Sequence, residues 1–180
     1  VAPIQTGDGN GVLAAVRAAL TYAWELLGPT YQTMVSKVAF FEEDFDEAAA
    51  MEIAEVPSTR LRGLADRAWL CPLEDGRYVM HPAVQAFVRS QVRERAQNGR
   101  VWEEPIDAAG IRERYTVYYL ALVVERERML RGQSARAARD IIRREWRNVR
   151  MAWHHAVADT RLDLLAESLD GLTRFLLLEG

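Results

Sequence analysis

Trp69-Leu70-Cys71-Pro72-Leu73-Glu74-Asp75-Gly76-Arg77-Tyr78-Val79-Met80-His81-Pro82 is the stretch on which the fold turns. Two short apolar runs, 70–73 and 77–80, flank Glu74-Asp75-Gly76. An Asp-Gly pair between such runs predicts a two-stranded antiparallel hairpin, because the tight turn needs positive φ. Pro82 then suits the first turn of a helix, where a missing N–H leaves nothing unpaired. Val84, Phe87, Val88, Gln91 and Val92 continue that helix at three- and four-residue spacing.

Upstream of the hairpin the pattern is helical. Leu13, Val16, Leu20, Ala23, Trp24 and Leu27 form one stripe, stopped by Gly28-Pro29. Short helices are predicted over 30–40, over 47–55 with Asp46 as cap, and over 59–69 with Ser58 as cap. In the last of these Leu61, Leu64, Ala65 and Ala68 face inward. Helices, then a two-stranded hairpin, then a helix is the order of a winged-helix domain, assigned to residues 12–100. Residues 1–11, with Gly7, Gly9 and Gly11, read as a flexible leader.

Downstream, 101–110 reads as a linker and 111–180 as purely helical. Ile111, Tyr115, Tyr118, Tyr119, Leu122, Val123 and Met129 make a first stripe. Ala138, Ile141, Ile142, Glu145, Trp146, Val149, Ala152, Trp153, Ala156 and Val157 make a second, on one helix capped by Ser134. Leu162, Leu165, Ala166, Leu169, Leu172 and Leu176 make a third, entered through the capping-box spacing of Thr160 and Asp163. Long helices joined by short loops pack antiparallel. The expected architecture is therefore mainly α: a winged helix with one β-hairpin, then antiparallel TPR-like helices.

The 180 residues are 49% hydrophobic and 27% charged, with a net charge of −3, which excludes a disordered tail and a disulfide scaffold. No apolar run is long enough to span a bilayer, and no secretory signal is evident. Starting at Val1, the chain reads as a piece of a longer protein. A single cysteine, Cys71, suits a reducing, cytoplasmic setting. Lys37 is the one lysine among 23 basic residues, read as GC-rich bacterial coding. Charge is segregated. Residues 40–56 hold seven acids and no base, whereas 111–150 hold eleven arginines against five acids. The acidic run at 42–47 is expected to be a solvated turn.

Catalytic and metal chemistry are not expected in this chain. It carries no phosphate-binding G-x-x-x-x-G-K-[ST] loop, and Lys37 lies inside a helix. His154 and His155 are adjacent on a helix and diverge by about 100°, so they do not converge on one ion. Tyr115, Tyr118, Tyr119, Trp146 and Trp153 fall at core spacing rather than forming a base-stacking platform. Glu145 lies on an apolar stripe, so it pairs with an arginine or caps a neighbouring helix. His81 sits where strand gives way to helix. It either bonds local backbone to fix that turn or contacts a ligand. A DNA-binding winged helix is the rival class, with Arg60, Arg62 and Arg67 on its recognition helix. The acidic tip Glu74-Asp75 opposes phosphate attraction, so duplex binding is expected to be weak.

Several segments together resemble a bacterial STAND-class signalling NTPase, NB-ARC-related. Val38-Ala-Phe-Phe with Phe45 and Ala48-Ala49 resembles that family's L-x-x-F-x-x-x-F-x-x-x-x-A helix pair. Leu61-x-x-Leu64-x-Asp66-x-x-Trp69-Leu70 resembles its L-x-x-L-x-D-x-S-L-L. Gly76-Arg77-Tyr78-Val79-Met80-His81-Pro82 resembles G-R-Y-x-x-H-P. Arg114-Tyr115-x-x-Tyr118-Tyr119-Leu120 and Glu145-Trp-Arg-Asn148-Val-Arg-x-Ala152-Trp153 resemble the start of its superhelical arm. Departures are Arg114 for the usual histidine, Ala68 for serine, and Pro82 for the acid of the eukaryotic Met-His-Asp motif.

The resemblance spans about residues 12–180 and places them after an ATP/ADP-binding core. It implies that His81 senses the β-phosphate of ADP in the intact protein, with ATP or ADP and Mg bound by the upstream core and no cofactor bound by this segment. The implied partners are that core, an inducer or protein on the helical arm, and a sister subunit on activation. No membrane partner is implied, and the segment serves signal transduction or transcription regulation rather than catalysis. A helical-repeat interaction scaffold without nucleotide switching is a further alternative.

Overall fold

The computed structural model describes residues 9–98 and 105–179. The segment 1–8 of the expected leader and 101–104 of the expected linker, with Trp102, lie outside the described residues. The chain is mainly helical, with one small hairpin. Four helices come first: α1 (Gly9–Leu26), α2 (Pro29–Val38), α3 (Glu47–Ala54) and α4 (Ser58–Ala65). The hairpin β1 (Cys71–Pro72) and β2 (Tyr78–Val79) follows, then α5 (Pro82–Gln97). The second half is α6 (Ala108–Leu130), α7 (Ala135–Arg144), α8 (Trp146–Ala158) and α9 (Leu162–Glu179). No described helix is long and apolar enough to cross a membrane.

Several boundaries have readable causes. Gly76 takes φ +76° in the hairpin turn, and Cys71 pairs with Val79 in antiparallel register. Pro29 and Pro82 occupy helix first turns. Asp46 caps α3, its Oδ1 accepting the Ala49 N–H at 2.7 Å. Asp107 does the same for Gly110 at 2.8 Å, which starts α6 inside the expected linker. Gly9–Gly11 likewise belong to α1 rather than to a leader. Pro57, not Ser58, takes the cap position of α4, and Ser134 makes no side-chain cap bond.

A hydrophobic cluster runs continuously from Trp24 to Leu172 and joins the two halves. Its centre is aromatic: Phe41 stacks on Phe45 at 4.1 Å, and Tyr115 meets Tyr119 at 4.7 Å. Helix α6 is the spine, packing on α3 on one side and on α7, α8 and α9 on the other. The core roles expected for Tyr115 and Tyr119 hold, and Trp146 and Trp153 are half-buried.

Four further expectations change. Helix 59–69 ends at Ala65, and Ala68 is exposed with φ +58° rather than turned inward. The stripe of α1 is buried only at its end: Trp24 and Leu27 are covered, while Leu13 and Val16 are exposed. The second stripe is carried by two helices, interrupted at Glu145 (φ −90°, ψ 9°). The face of α9 is rotated. Leu162, Leu169 and Leu176 are exposed, and Ser168, Gly171, Leu172 and Phe175 are buried. A Cβ on Gly171 would come within 2.8 Å of Val123 Cγ1 and 3.1 Å of its carbonyl oxygen. Close approach of α6 therefore selects the small face of α9 over its leucine-rich one.

Candidate functional site

The acidic turn is not a free solvated loop. Phe45 is paired with Tyr78 in an antiparallel bridge, its N–H donating to Tyr78 O at 2.9 Å and the Tyr78 N–H returning at 2.8 Å. The turn is thus tied to the edge of the hairpin at a single bridge pair. Side chains alternate along extended chain, so Phe45 and Tyr78 share the core face while Asp44, Asp46 and Arg77 share the other.

On that second face Arg77 is buried, its side chain 7% exposed. Its Nε donates to Asp44 Oδ2 at 2.6 Å, and Nη2 donates to the Asp44 carbonyl at 2.7 Å. Its Nη1 lies 2.6 Å from Oε1 of Glu145, which is 9% exposed, and 3.8 Å from Asp46. Asn148, one turn along α8, donates from Nδ2 to Glu145 Oε2 at 3.0 Å and to Asp44 O at 3.2 Å. Its Oδ1 accepts the Tyr115 hydroxyl at 2.8 Å. Burial works against the Arg77 charge. The hydrogen bonds and fields of Glu145 and Asp44 more than offset it, so the pKa is raised above its ordinary value. Burial, first, and the nearby Glu42 carboxylate push the Tyr115 pKa far up, which keeps the phenol a neutral donor.

This network joins the hairpin and its acidic turn to α6 and α8. Weaker pairs surround it. Arg147 reaches Glu43 at 3.0 Å, Arg144 pairs with Asp75 at the hairpin tip, and Arg89 holds Glu42 at 2.7 Å. The segregated charges of the two halves are thus complementary surfaces in contact. Glu145 pairs with an arginine, as a carboxylate at a core position requires. Arg77 and Asp44 were not singled out as its partners. The available signal was Glu145 itself, which demands a cation without saying which.

His81 is exposed and occupies the cap position of α5, its Nδ1 accepting the Ala83 N–H at 3.2 Å. That local backbone bond places the ring proton on Nε2, leaving an outward-facing donor. Arg60, Arg62 and Arg67 are all exposed. The guanidiniums of Arg60 and Arg67 lie 5.5 and 4.4 Å from the Tyr31 ring centre, and Arg67 also donates to Gly63 O at 2.8 Å. Arg67 lies beyond the end of α4. The structure does not bring His81 and these arginines into one cluster. Among the described residues no group of three or more His, Cys, Asp and Glu side chains is placed to hold a metal.

His155 is half-buried on α8. Burial first, then the Arg112 charge, hold its pKa below the ordinary histidine value. The unfolded chain therefore takes up this proton first as pH falls. The stabilising effect of a neutral His155 is present above about pH 6.5 and declines below it, until the native ring also protonates. Urea midpoints measured from pH 8 to 5 should show part of the acid sensitivity vanish in His155→Gln. Superimposable pH profiles would contradict this.

No protein-family model, curated protein or solved structure matches the chain.

Proposed function

We propose that this chain is a regulatory and interaction segment of a STAND-type ATPase or transcriptional regulator. A winged-helix unit formed by α1–α5 and the hairpin couples nucleotide state to a TPR-like arm beginning at α6, through protein–protein contacts. The observation that supports coupling is the position of β2. Arg77 precedes β2, and two residues after β2 comes His81. One end of this strand enters the buried network with Glu145 and Asn148 on α8. The other end presents the exposed imidazole at the start of α5. The two positions are four residues apart, about 13 Å along extended chain. A displacement of the strand moves both.

The fit to a nucleotide phosphate rests on the His81 geometry. With Nδ1 committed to the Ala83 N–H, Nε2–H is available to one phosphate oxygen. The nucleotide and its Mg would supply the bound charge that distinguishes two states. In this reading the upstream core holds most of that nucleotide, and this segment contributes a single sensing contact. No residue here is assigned a catalytic role.

A charge-assisted hydrogen bond of this kind contributes roughly 1.5–3 kcal/mol. In the longer protein that this reading calls for, His81→Ala should weaken ADP by roughly 10- to 100-fold and raise the open fraction accordingly. Equilibrium ADP titration of wild type and variant checks it, and unchanged ADP affinity would sink the reading.

A further inference from the structure

Where α2 and α5 meet α8 there is a cavity of about 280 Å³. It borders the Arg77 network through the Arg89–Glu42 pair, but its lining includes none of Arg77, Asp44, Glu145 or Asn148, and it does not depend on the reading above. Phe40 and Val92 give it apolar walls, and Arg89 and Arg93 line it one turn apart on α5. Arg89 is held in place, its Nε donating to Ala39 O at 2.8 Å and its Nη2 to Glu42 at 2.7 Å. Glu42, also in the lining, offsets that charge. Arg93 is exposed and makes no hydrogen bond or ion pair among the described residues, so the cavity keeps a net positive charge.

Two polar atoms at this cavity have no partner. Ser36 is fully buried and its Oγ is unbonded. A buried helical serine or threonine can satisfy its hydroxyl by bonding back to the carbonyl four residues earlier, as Thr116 and Ser168 do in this chain. Ser36 does not, and neither does Thr33, which lies on the same helix but outside the cavity lining. Nδ1 of His155 is likewise buried and unbonded. Buried donors without partners are uncommon and unfavourable. Both line the same cavity as the unpaired Arg93.

We propose that this cavity binds a small organic anion, a carboxylate or phosphate monoester with a compact apolar body. Arg93 supplies the cation, Ser36 Oγ–H and the His155 ring supply hydrogen bonds, and Phe40 and Val92 hold the apolar part. The volume lies just below the usual range of about 300–1,000 Å³ for ligand pockets, so the ligand is smaller than a nucleotide. Contacts from α2, α5 and α8 make it a bridge between the two halves.

The test is calorimetric titration of the chain with benzoate, phenyl phosphate and the neutral benzamide. One of the two anions should bind saturably, and benzamide about tenfold or more weaker, the value of one charge-assisted contact. Whichever anion binds more tightly identifies the headgroup. Arg93→Ala should lower affinity by a similar factor with the circular dichroism spectrum unchanged. Ser36→Ala should also lower affinity while leaving the free protein as stable or more so, because it removes an unsatisfied hydroxyl. Failure of both anions to bind would overturn the proposal. So would benzamide binding as tightly as the anions, or full affinity retained by Arg93→Ala.

Discussion

Arg77→Ala should lower unfolding stability by about 3–5 kcal/mol, the usual cost of removing one partner from a buried ion pair. The substitution leaves the Asp44 and Glu145 carboxylates facing each other without their shared cation. Glu145→Ala should cost less, because Arg77 and Asp44 remain a balanced pair. The order distinguishes a charge-compensated network from simple packing, since the two side chains are almost equally buried. For a chain of this size the Arg77→Ala loss corresponds to a melting temperature lower by roughly 6–20 °C. Urea denaturation of both variants checks it. Equal losses, or a loss within surface-substitution range for Arg77→Ala, would contradict the network.

Phe45→Ala should cost a similar amount, about 3–5 kcal/mol, as expected for truncating a buried aromatic. Phe45 is fully buried, stacked on Phe41, and bridged through its backbone to Tyr78. Its ring anchors the acidic turn, and the turn presents Asp44 to Arg77. Losing the anchor loosens part of what Arg77→Ala would remove. The double variant should therefore cost less than the sum of the singles, with a coupling of roughly 0.5–3 kcal/mol. Strict additivity in a denaturant double-mutant cycle would show that the turn holds its place without the ring.

Local chemistry was legible in residues whose effect is local. Asp75-Gly76 marks the hairpin because only that turn geometry fits the pair, and Asp46 and Pro82 mark helix starts because orphan N–H groups must be capped or absent. The stripe of Tyr115 and Tyr119 was legible because these aromatic residues recur at three- and four-residue spacing with Ile111, Leu122 and Val123. On α9 the same reasoning fails. Leucines occupy several faces of that helix, at 162, 164, 165, 169, 172 and 176–178, so periodicity has no single answer. The face that packs is the one whose Ser168 and Gly171 let α6 come close.

The candidate site divides the same way. His81 was legible as a residue that fixes the strand-to-helix turn or contacts a ligand, because its position follows from its neighbours. Its cap bond to Ala83 spans two residues. Arg77 and Glu145 are 68 positions apart, and Asn148 meets the Asp44 carbonyl across 104. Charge counts alone gave a solvated acidic turn and an arginine-rich face, with no way to match one to the other. By itself the amino-acid order determines helix starts, the hairpin, the mainly helical class and the need for a cation at Glu145. Only the tertiary structure decides that this cation is Arg77, that the acidic turn bridges to the hairpin at Phe45, and that the second stripe breaks at Glu145. The physical reason is range: caps and turns close within a few bonds, whereas buried charges are satisfied by whichever distant group the packed core brings within hydrogen-bond reach.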